Sequence, residues 1–209
     1  MQQLDFINSS RNLFQREHLS LALTENFLSV DKSKILLHHL IEVTQWQQPR
    51  IKVYGKWHLT PRLLQFYGDE GLVYEYSKTL RGTLAWTQTL FELKTRVSNA
   101  TGADYNCVLL NYYRDGQDTM GWHADDEPEL GVQANIASLS LGANRDIHFK
   151  PKATAKITTH ETIKLALPSG SLLTMQGDTQ EYWLHHIPKR ARCHAPRINL
   201  TFRAIHPSP

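Results

Sequence analysis

An α+β domain built around a jelly roll is the fold class this sequence predicts. Three observations carry that reading. Helical periodicity is confined to two early stretches, about 31–44 and 85–98. Short runs of alternating apolar and polar residues, punctuated by Pro, Gly, Asn and Asp, fill most of the rest. Helices placed first, with many short antiparallel strands after them, segregate into layers around a β-sandwich.

In chain order, residues 1 to about 30 show no sustained period and are expected to form a loosely packed extension. Asp31 to Thr44 reads as a helix, because Leu36, Leu37, Leu40, Ile41 and Thr44 recur at three- and four-residue spacing, with Pro49 beyond its end. From Ile51 to Ser77, β-like pieces are separated by Gly55, Pro61 and Gly68, and Val73-Tyr74-Glu75-Tyr76 alternates as a strand does. A second helix over about Ala85–Ser98 has the stripe Trp86, Leu90, Leu93 and Val97 and closes near Gly102. Strands are then expected at 105–113, 136–142, 146–150, 162–167, 171–175, 183–187 and 197–205. Turns fall at Asp115-Gly116, Pro151-Lys152, Pro168-Ser169-Gly170 and Gln176-Gly177-Asp178. No repeat or interdomain linker interrupts this order. Residues 1–50 are therefore taken as an extension with one helix, not an independent domain, and 51–209 as the functional domain.

The 209 residues, 41% hydrophobic and 21% charged, suit one soluble domain with its own core. A net charge of +3 permits a nucleic-acid partner without demanding one. The two cysteines, Cys107 and Cys193, make no disulfide framework and fit a reducing compartment. The first twenty residues have neither a signal peptide's apolar stretch nor a transmembrane length, so no membrane partner is expected. An intracellular location follows, cytoplasmic in a bacterium or nuclear in a eukaryote, and a monomer is expected.

The chemistry is concentrated near the C-terminus. Read as a strand, Arg197-Ile198-Asn199-Leu200-Thr201-Phe202-Arg203 puts Arg197, Asn199, Thr201 and Arg203 on one face and the apolar residues on the other. Two guanidinium groups on a half-buried face call for an anion. An isolated pair of this kind is more often a solvated edge strand, so upstream residues must decide. His123 and Asp125 leave an extended segment on the same side and can share one metal ion. His185 is the candidate third ligand, with His186 as a competing assignment. Two histidines and a carboxylate leave half an octahedron open, as in non-haem Fe(II) oxygenases. Asn111 and Tyr113 share one face of a preceding strand. A ligand with two carboxylates and a keto oxygen would use all these groups, through bidentate chelation at the metal and guanidinium and phenol at the far carboxylate. That ligand is 2-oxoglutarate, with O2 taking the remaining metal position.

Together with Val53-Tyr54-Gly55-Lys56-Trp57-His58, Pro61-Arg62, Tyr67-Gly68-Asp69, Asn111 to Gly116, His123-Ala124-Asp125-Asp126-Glu127, Ile136 to Gly142 and Ala195 to Arg203, these residues resemble a known family. The chain is similar to the AlkB-type Fe(II)/2-oxoglutarate dioxygenases that repair alkylated nucleic acid, and especially to the double-stranded-DNA repair subgroup, over roughly residues 50–205. The resemblance implies a double-stranded β-helix core, N-terminal helices packed on the sheet and a β-hairpin substrate lid within about 51–80. It implies Fe(II) on His123, Asp125 and His185. Arg197 with Tyr113 would hold the distal carboxylate of 2-oxoglutarate, while Arg203 and Asn111 stand at its metal-proximal end, and Asn199 and Thr201 add hydrogen bonds.

On the substrate side, the resemblance makes Tyr54, with Gly55 and Lys56 at the hairpin tip, the wedge that fills the gap left by an extruded base. Tyr76 would stack on that base and Tyr74, beside Glu75, would hydrogen-bond near it. Asp126 and Glu127 look like an acidic pair reading an exocyclic amino group, with Glu127 counted among the catalytic residues. Lys189, Arg190 and Arg192 form a basic loop suited to phosphates. The activity implied is oxidative demethylation of 1-methyladenine and 3-methylcytosine in DNA, releasing formaldehyde, succinate and CO2. Duplex DNA is the expected partner, with single-stranded DNA or RNA as the alternative. A protein hydroxylase and a zinc hydrolase on the same three ligands are the rival readings.

Overall fold

The computed structural model describes residues 10–53, 55–76, 79–159 and 161–206, and only the backbone of 52, 53, 73–76 and 79–81. The first described residues form a hairpin, β1 (Arg11–Arg16) and β2 (Leu19–Thr24), in register from Arg11 opposite Thr24 to Arg16 opposite Leu19. From Arg11 to Thr24 this corrects the expected loose extension, whose residues 1–9 lie outside the described residues. Leu19, Leu21 and Leu23 are buried in the core, and each such leucine contributes about 1.5–3 kcal/mol.

Helix α1 (Val30–Val43) starts where the Ser29 hydroxyl accepts the Lys32 amide, and it buries Ser33, Leu37 and Leu40. Next come β3 (Arg50–Val53), β4 (Lys56–Leu59), β5 (Leu63–Gly68), β6 (Val73–Tyr76), β7 (Thr79–Gly82) and β8 (Leu84–Ala85). Helix α2 (Gln88–Thr101) begins later than the stripe predicts because Thr87 takes the N-cap, and Gly102 closes it at φ +71. The remaining strands are β9 (Cys107–Tyr113), β10 (Met120–His123), β11 (Ile136–Gly142), β12 (Arg145–Pro151), β13 (Ile163–Leu167), β14 (Leu172–Gln176), β15 (Trp183–Ile187) and β16 (Arg197–Arg203). A single turn of helix, α3 (Thr179–Tyr182), separates β14 from β15. Strand β10 lies in a stretch where no strand was expected.

Two sheets face each other. The larger runs β1-β2-β14-β11-β16-β9-β5-β8 and the smaller β10-β15-β12-β13, while β3-β4 and β6-β7 are separate hairpins. This is a jelly roll with hairpins attached. Alternation on β9 and β16 divides the interior in two. Val108, Leu110, Ile198, Leu200 and Phe202 face α1 and α2, where Leu37, Leu40, Leu90, Leu93 and Val97 meet them. Residues of odd number on the same strands face the small sheet, with Leu109, Ile147, Phe149, Trp183 and Ile187 between the layers. The polar members of that inner face make the site.

The loop after β9 is fitted closely to the loop after β15. The amide of Gly116 donates to the Cys193 carbonyl (2.8 Å), and the Arg190 amide donates to the Gly116 carbonyl (2.8 Å). A Cβ on Gly116 would lie 1.9 Å from the Arg190 carbonyl oxygen, so only glycine fits. Gly116→Ala is expected to cost about 1–3 kcal/mol in urea unfolding, because backbone must move to admit the methyl group. A loss under 0.5 kcal/mol, in the sense of an ordinary surface change, would show that the two loops are not fixed to each other.

Candidate active site

Antiparallel pairing sets the site. In β16 and β9, Arg197 lies opposite Tyr113 and Asn199 opposite Asn111; in β11 and β16, Ser138 faces Thr201 and Ser140 faces Asn199. From the small sheet, β10 and β15 bring His123 opposite His185. Asp125 follows β10 immediately, its amide donating to Gln180 Oε1 at 2.9 Å. One ligand atom from each of His123, Asp125 and His185 falls within 4.8 Å of the others. Those three residues, Asn111, Tyr113, Arg197, Asn199, Thr201 and Arg203 all line one enclosed cavity.

Pairing with β10, which sets His123 opposite His185, resolves the choice between the adjacent histidines. His185 points inward beside Phe149, whereas the His186 ring stacks on Trp122 on the opposite face of the sheet, with centroids 3.7 Å apart.

Arg203 and Arg197 are buried differently. Arg203 Nη2 donates to Asp125 Oδ1 at 2.5 Å, so this guanidinium has its anion within the protein. Arg197 Nη2 donates to Ser140 Oγ at 2.9 Å and its guanidinium lies 5.3 Å from the Tyr113 ring centroid. Its Nε and Nη1 are buried with no hydrogen-bond partner. Burial pulls the Arg197 pKa down to about 10, against the Tyr113 phenol, which raises it. A desolvated cation with two open guanidinium nitrogens beside a three-ligand cluster fits a carboxylate ligand reaching from a metal.

The ligand set is tuned for metal. Burial opposes ionisation of Asp125, but Arg203, His185 and His123 outweigh it and its pKa is lowered. Burial lowers His123 despite the Asp125 charge, and brings His185 down to about 3, with His123 adding to the shift. His186 falls to about 4 through burial and the nearby His148. Both imidazoles of the cluster are therefore neutral and the Asp125 carboxylate ionised near neutrality, as metal binding requires.

These shifts have a consequence for stability. Because the folded values of His185 and His186 lie below the ordinary 6.5, the unfolded chain binds more protons at acid pH and stability falls as pH drops below about 6.5, the loss continuing to about 3. The Tm of the metal-free protein should fall by at least about 5 °C between pH 7.5 and pH 5. A Tm that holds or rises over that interval would contradict buried neutral histidines.

A second cavity of about 560 Å³ opens in front of His123, between Ile51, His58 and Leu59 of the β3-β4 hairpin and Met120, Gly121 and Trp122 of β10, with Pro61 and Arg62 also lining it. Arg62 is buried and its Nε donates to Asn111 Oδ1 at 2.6 Å, linking the two cavities. Gly55 turns the hairpin at φ +79, which glycine adopts without strain, and Lys56 beside it is exposed. Tyr54 lies outside the described residues, as do the side chains of Tyr74, Glu75 and Tyr76, whose backbone forms β6. Asp126 is exposed and bound to Lys152 at 2.6 Å, lining a different depression. Glu127 is half-buried and lines neither of the two cavities above. Arg190 and Arg192 are exposed on the loop after β15, where Arg190 Nη1 donates to the Asn144 carbonyl at 2.9 Å.

Ser138, Ser140, Arg62 and Trp122 join the site without having been singled out for it. The serines carried a signal, since two hydroxyls at alternate positions of an otherwise apolar strand mark one polar face. Arg62 carried none beyond its motif.

Residues 20–203 match the 2OG-Fe(II) oxygenase superfamily. Among curated proteins, the chain is 44% identical over 162 residues to DNA oxidative demethylase ALKBH2 of Bos taurus, covering 76% of this chain and 58% of that one. It is 40% identical over 197 residues to the Mus musculus protein of that name, covering 92% and 82%. This is an AlkB-type 2OG-Fe(II) oxygenase. The Homo sapiens alpha-ketoglutarate-dependent dioxygenase alkB homolog 3 is 37% identical over 192 residues, covering 90% and 66%. The solved structure of OsALKBH1 superimposes with a TM-score of 0.63 at 14% identity, covering 91% of this chain and 99% of that one, and so shares the fold. As a member of this family the oxygenase uses Fe(II), 2-oxoglutarate and O2, which the neutral imidazoles, the carboxylate and the open N–H groups of Arg197 suit.

Proposed function

We propose that this AlkB-type oxygenase is an oxidative demethylase that repairs 1-methyladenine and 3-methylcytosine in DNA. The observation that carries the reading is Arg197, a buried guanidinium with unpartnered N–H groups on the same cavity wall as the His123, Asp125 and His185 cluster. In this reading His123, Asp125 and His185 hold Fe(II). Arg197 and Tyr113 anchor the distal carboxylate of 2-oxoglutarate, Arg203 and Asn111 stand at its other end, and Asn199 and Thr201 fix the strand's hydrogen bonds. Together, Fe(II), 2-oxoglutarate and O2 supply the oxidant that hydroxylates an N-methyl group, with succinate and CO2 as the co-substrate's products. The hydroxymethyl group then leaves as formaldehyde, the C–N bonding pair staying on the ring nitrogen and the hydroxyl proton passing to solvent, and the base is restored. Arg203 holds the Asp125 carboxylate in place throughout.

The cavity in front of His123 suits a base brought out of its stack, because a base in a duplex cannot present its Watson-Crick edge to the metal. Relatives named as DNA oxidative demethylases support DNA over a protein substrate. Duplex DNA is favoured by the β3-β4 hairpin beside the cavity, with Tyr54 as wedge, Gly55 and Lys56 at its tip, and Tyr74 and Tyr76 as base contacts. Glu127 is the acid proposed for the exocyclic amino group, in preference to Asp126, whose carboxylate is taken by Lys152. The enzyme is proposed to act as a monomer.

Turnover on matched duplex and single-stranded oligonucleotides carrying one 1-methyladenine tests this. Repair of the duplex at a rate at least equal to the single strand, and a Tyr54→Ala variant about tenfold slower on the duplex alone, are expected. A single-strand preference that Tyr54→Ala leaves unchanged would redirect the reading to single-stranded DNA or RNA.

A further inference from the structure

Helices α1 and α2 both cover the large sheet, and among the described elements nothing comparable covers the outer face of the small one. That face carries a group of side chains of which Trp122 alone also lines the cavity in front of His123. Trp122 of β10 stacks on His186 of β15 (centroids 3.7 Å apart, planes 18°). His186 Nε2 lies 3.2 Å from His148 Nδ1 across the β12-β15 pair, a hydrogen bond between rings. The Lys150 ammonium sits 4.5 Å from the Trp122 ring centroid. Lys164 is opposite His148 on β13 and exposed. Arg190, from the basic loop, comes within 3.9 Å of Asp146 on the same face. Among the described residues of β12, β13 and β15 on this face, Asp146 is the one carboxylate, against Lys150, Lys164 and the nearby Arg190.

Two features make this more than a solvated sheet. Trp122 stacks on His186, which meets His148 edge-on, and the Lys150 ammonium lies over the Trp122 ring instead of free in solvent, so less freedom is lost when an anion binds. It is also continuous with the substrate opening through Trp122. Trp122 lines the cavity in front of His123, and Arg190 belongs to the loop after β15. A polyanion with one unit in the cavity would have its neighbouring phosphates within reach of this face.

We infer that the outer face of the small sheet is a second nucleic-acid contact, gripping the phosphates of the strand that flanks the extruded nucleotide. Lys150 and Lys164 make the contacts, and Trp122 is a positioning residue that places Lys150. The inference rests on the demethylase reading for the identity of the polyanion, but its test does not depend on turnover.

The experiment measures binding of a fluorescent 20-nucleotide single-stranded DNA to the full chain by anisotropy across a salt series. The wild type is compared with Lys150→Gln/Lys164→Gln and with a control, Lys32→Gln/Lys34→Gln, that removes the same charge from the exposed face of α1. Loss of two phosphate contacts should weaken binding roughly tenfold and make the slope of log K against log salt shallower by about 1.4. The control should leave both values unchanged. Equal losses in both variants, or wild-type affinity and slope in Lys150→Gln/Lys164→Gln, would overturn the inference. Parallel repair assays separate the two readings. A wild type that binds through Lys150 and Lys164 yet repairs no alkylated base contradicts the demethylase and keeps the surface; a double variant that binds and repairs as the wild type does the reverse.

Discussion

Replacing Arg197 by Met should stabilise the protein in the absence of 2-oxoglutarate while weakening 2-oxoglutarate by about a hundredfold or more. The two effects have opposite signs because they have one cause. Arg197 is 1% exposed and keeps two guanidinium nitrogens without a partner, so folding takes a charge out of water and returns only part of its hydration. Met fills nearly the same space without that cost, and a gain of about 1–4 kcal/mol is the scale expected for such an exchange. The ligand loses its charge-assisted, two-pronged contact, worth about 3 kcal/mol, which is the hundredfold. Urea unfolding and the apparent KM for 2-oxoglutarate check the pair. If the variant unfolds several kcal/mol more easily with an unchanged KM, Arg197 is a structural cation and the ligand binds elsewhere.

Asp125→Ala should lower stability and abolish activity together, for two separable reasons. The carboxylate is a member of the metal cluster and also the counter-ion of Arg203, both residues being 3% exposed at the side chain. Removing it takes away the carboxylate that balances the buried Arg203 charge, at a cost of about 3–5 kcal/mol in the metal-free protein. Adding Arg203→Met should restore most of that stability, because the buried positive charge goes with it, yet restore no turnover, because the ligand oxygen is still missing. Should the double variant remain as unstable as Asp125→Ala alone, packing and not the charge pair holds this corner together. Activity surviving Asp125→Ala would remove Asp125 from the metal.

How much of this was legible without coordinates varied with the kind of interaction. Alternation alone placed Asn111 and Tyr113, and Arg197 through Arg203, on the correct faces, because a strand's period allows one answer once either face is apolar. The same rule, applied to adjacent His185 and His186, required that one point in and one out but could not say which. The facing strand β10 decides that, and its four residues, Met120 to His123, include a glycine and a histidine and make no periodic run. β2 had a readable pattern in Leu19, Leu21 and Leu23, which was lost among the charged residues before it. The acidic pair Asp126 and Glu127 could be identified as carboxylates, but the Lys152 contact that takes up Asp126 is made across 26 residues and leaves no local trace. The metal cluster was readable because ligand chemistry restricts the residue types. The Trp122 and His186 stack was not, since nothing but the fold brings those rings together.

Aerobic turnover of a 1-methyladenine oligonucleotide with Fe(II) and 2-oxoglutarate, reading repaired base, formaldehyde and succinate in one reaction, tests the central claim most directly. The three products are expected in equal amounts, and none of them from His123→Ala. Succinate without repaired base would keep the oxygenase and contradict the demethylase, and repair that proceeds without 2-oxoglutarate would contradict the assignment of Arg197 and of the site as a whole.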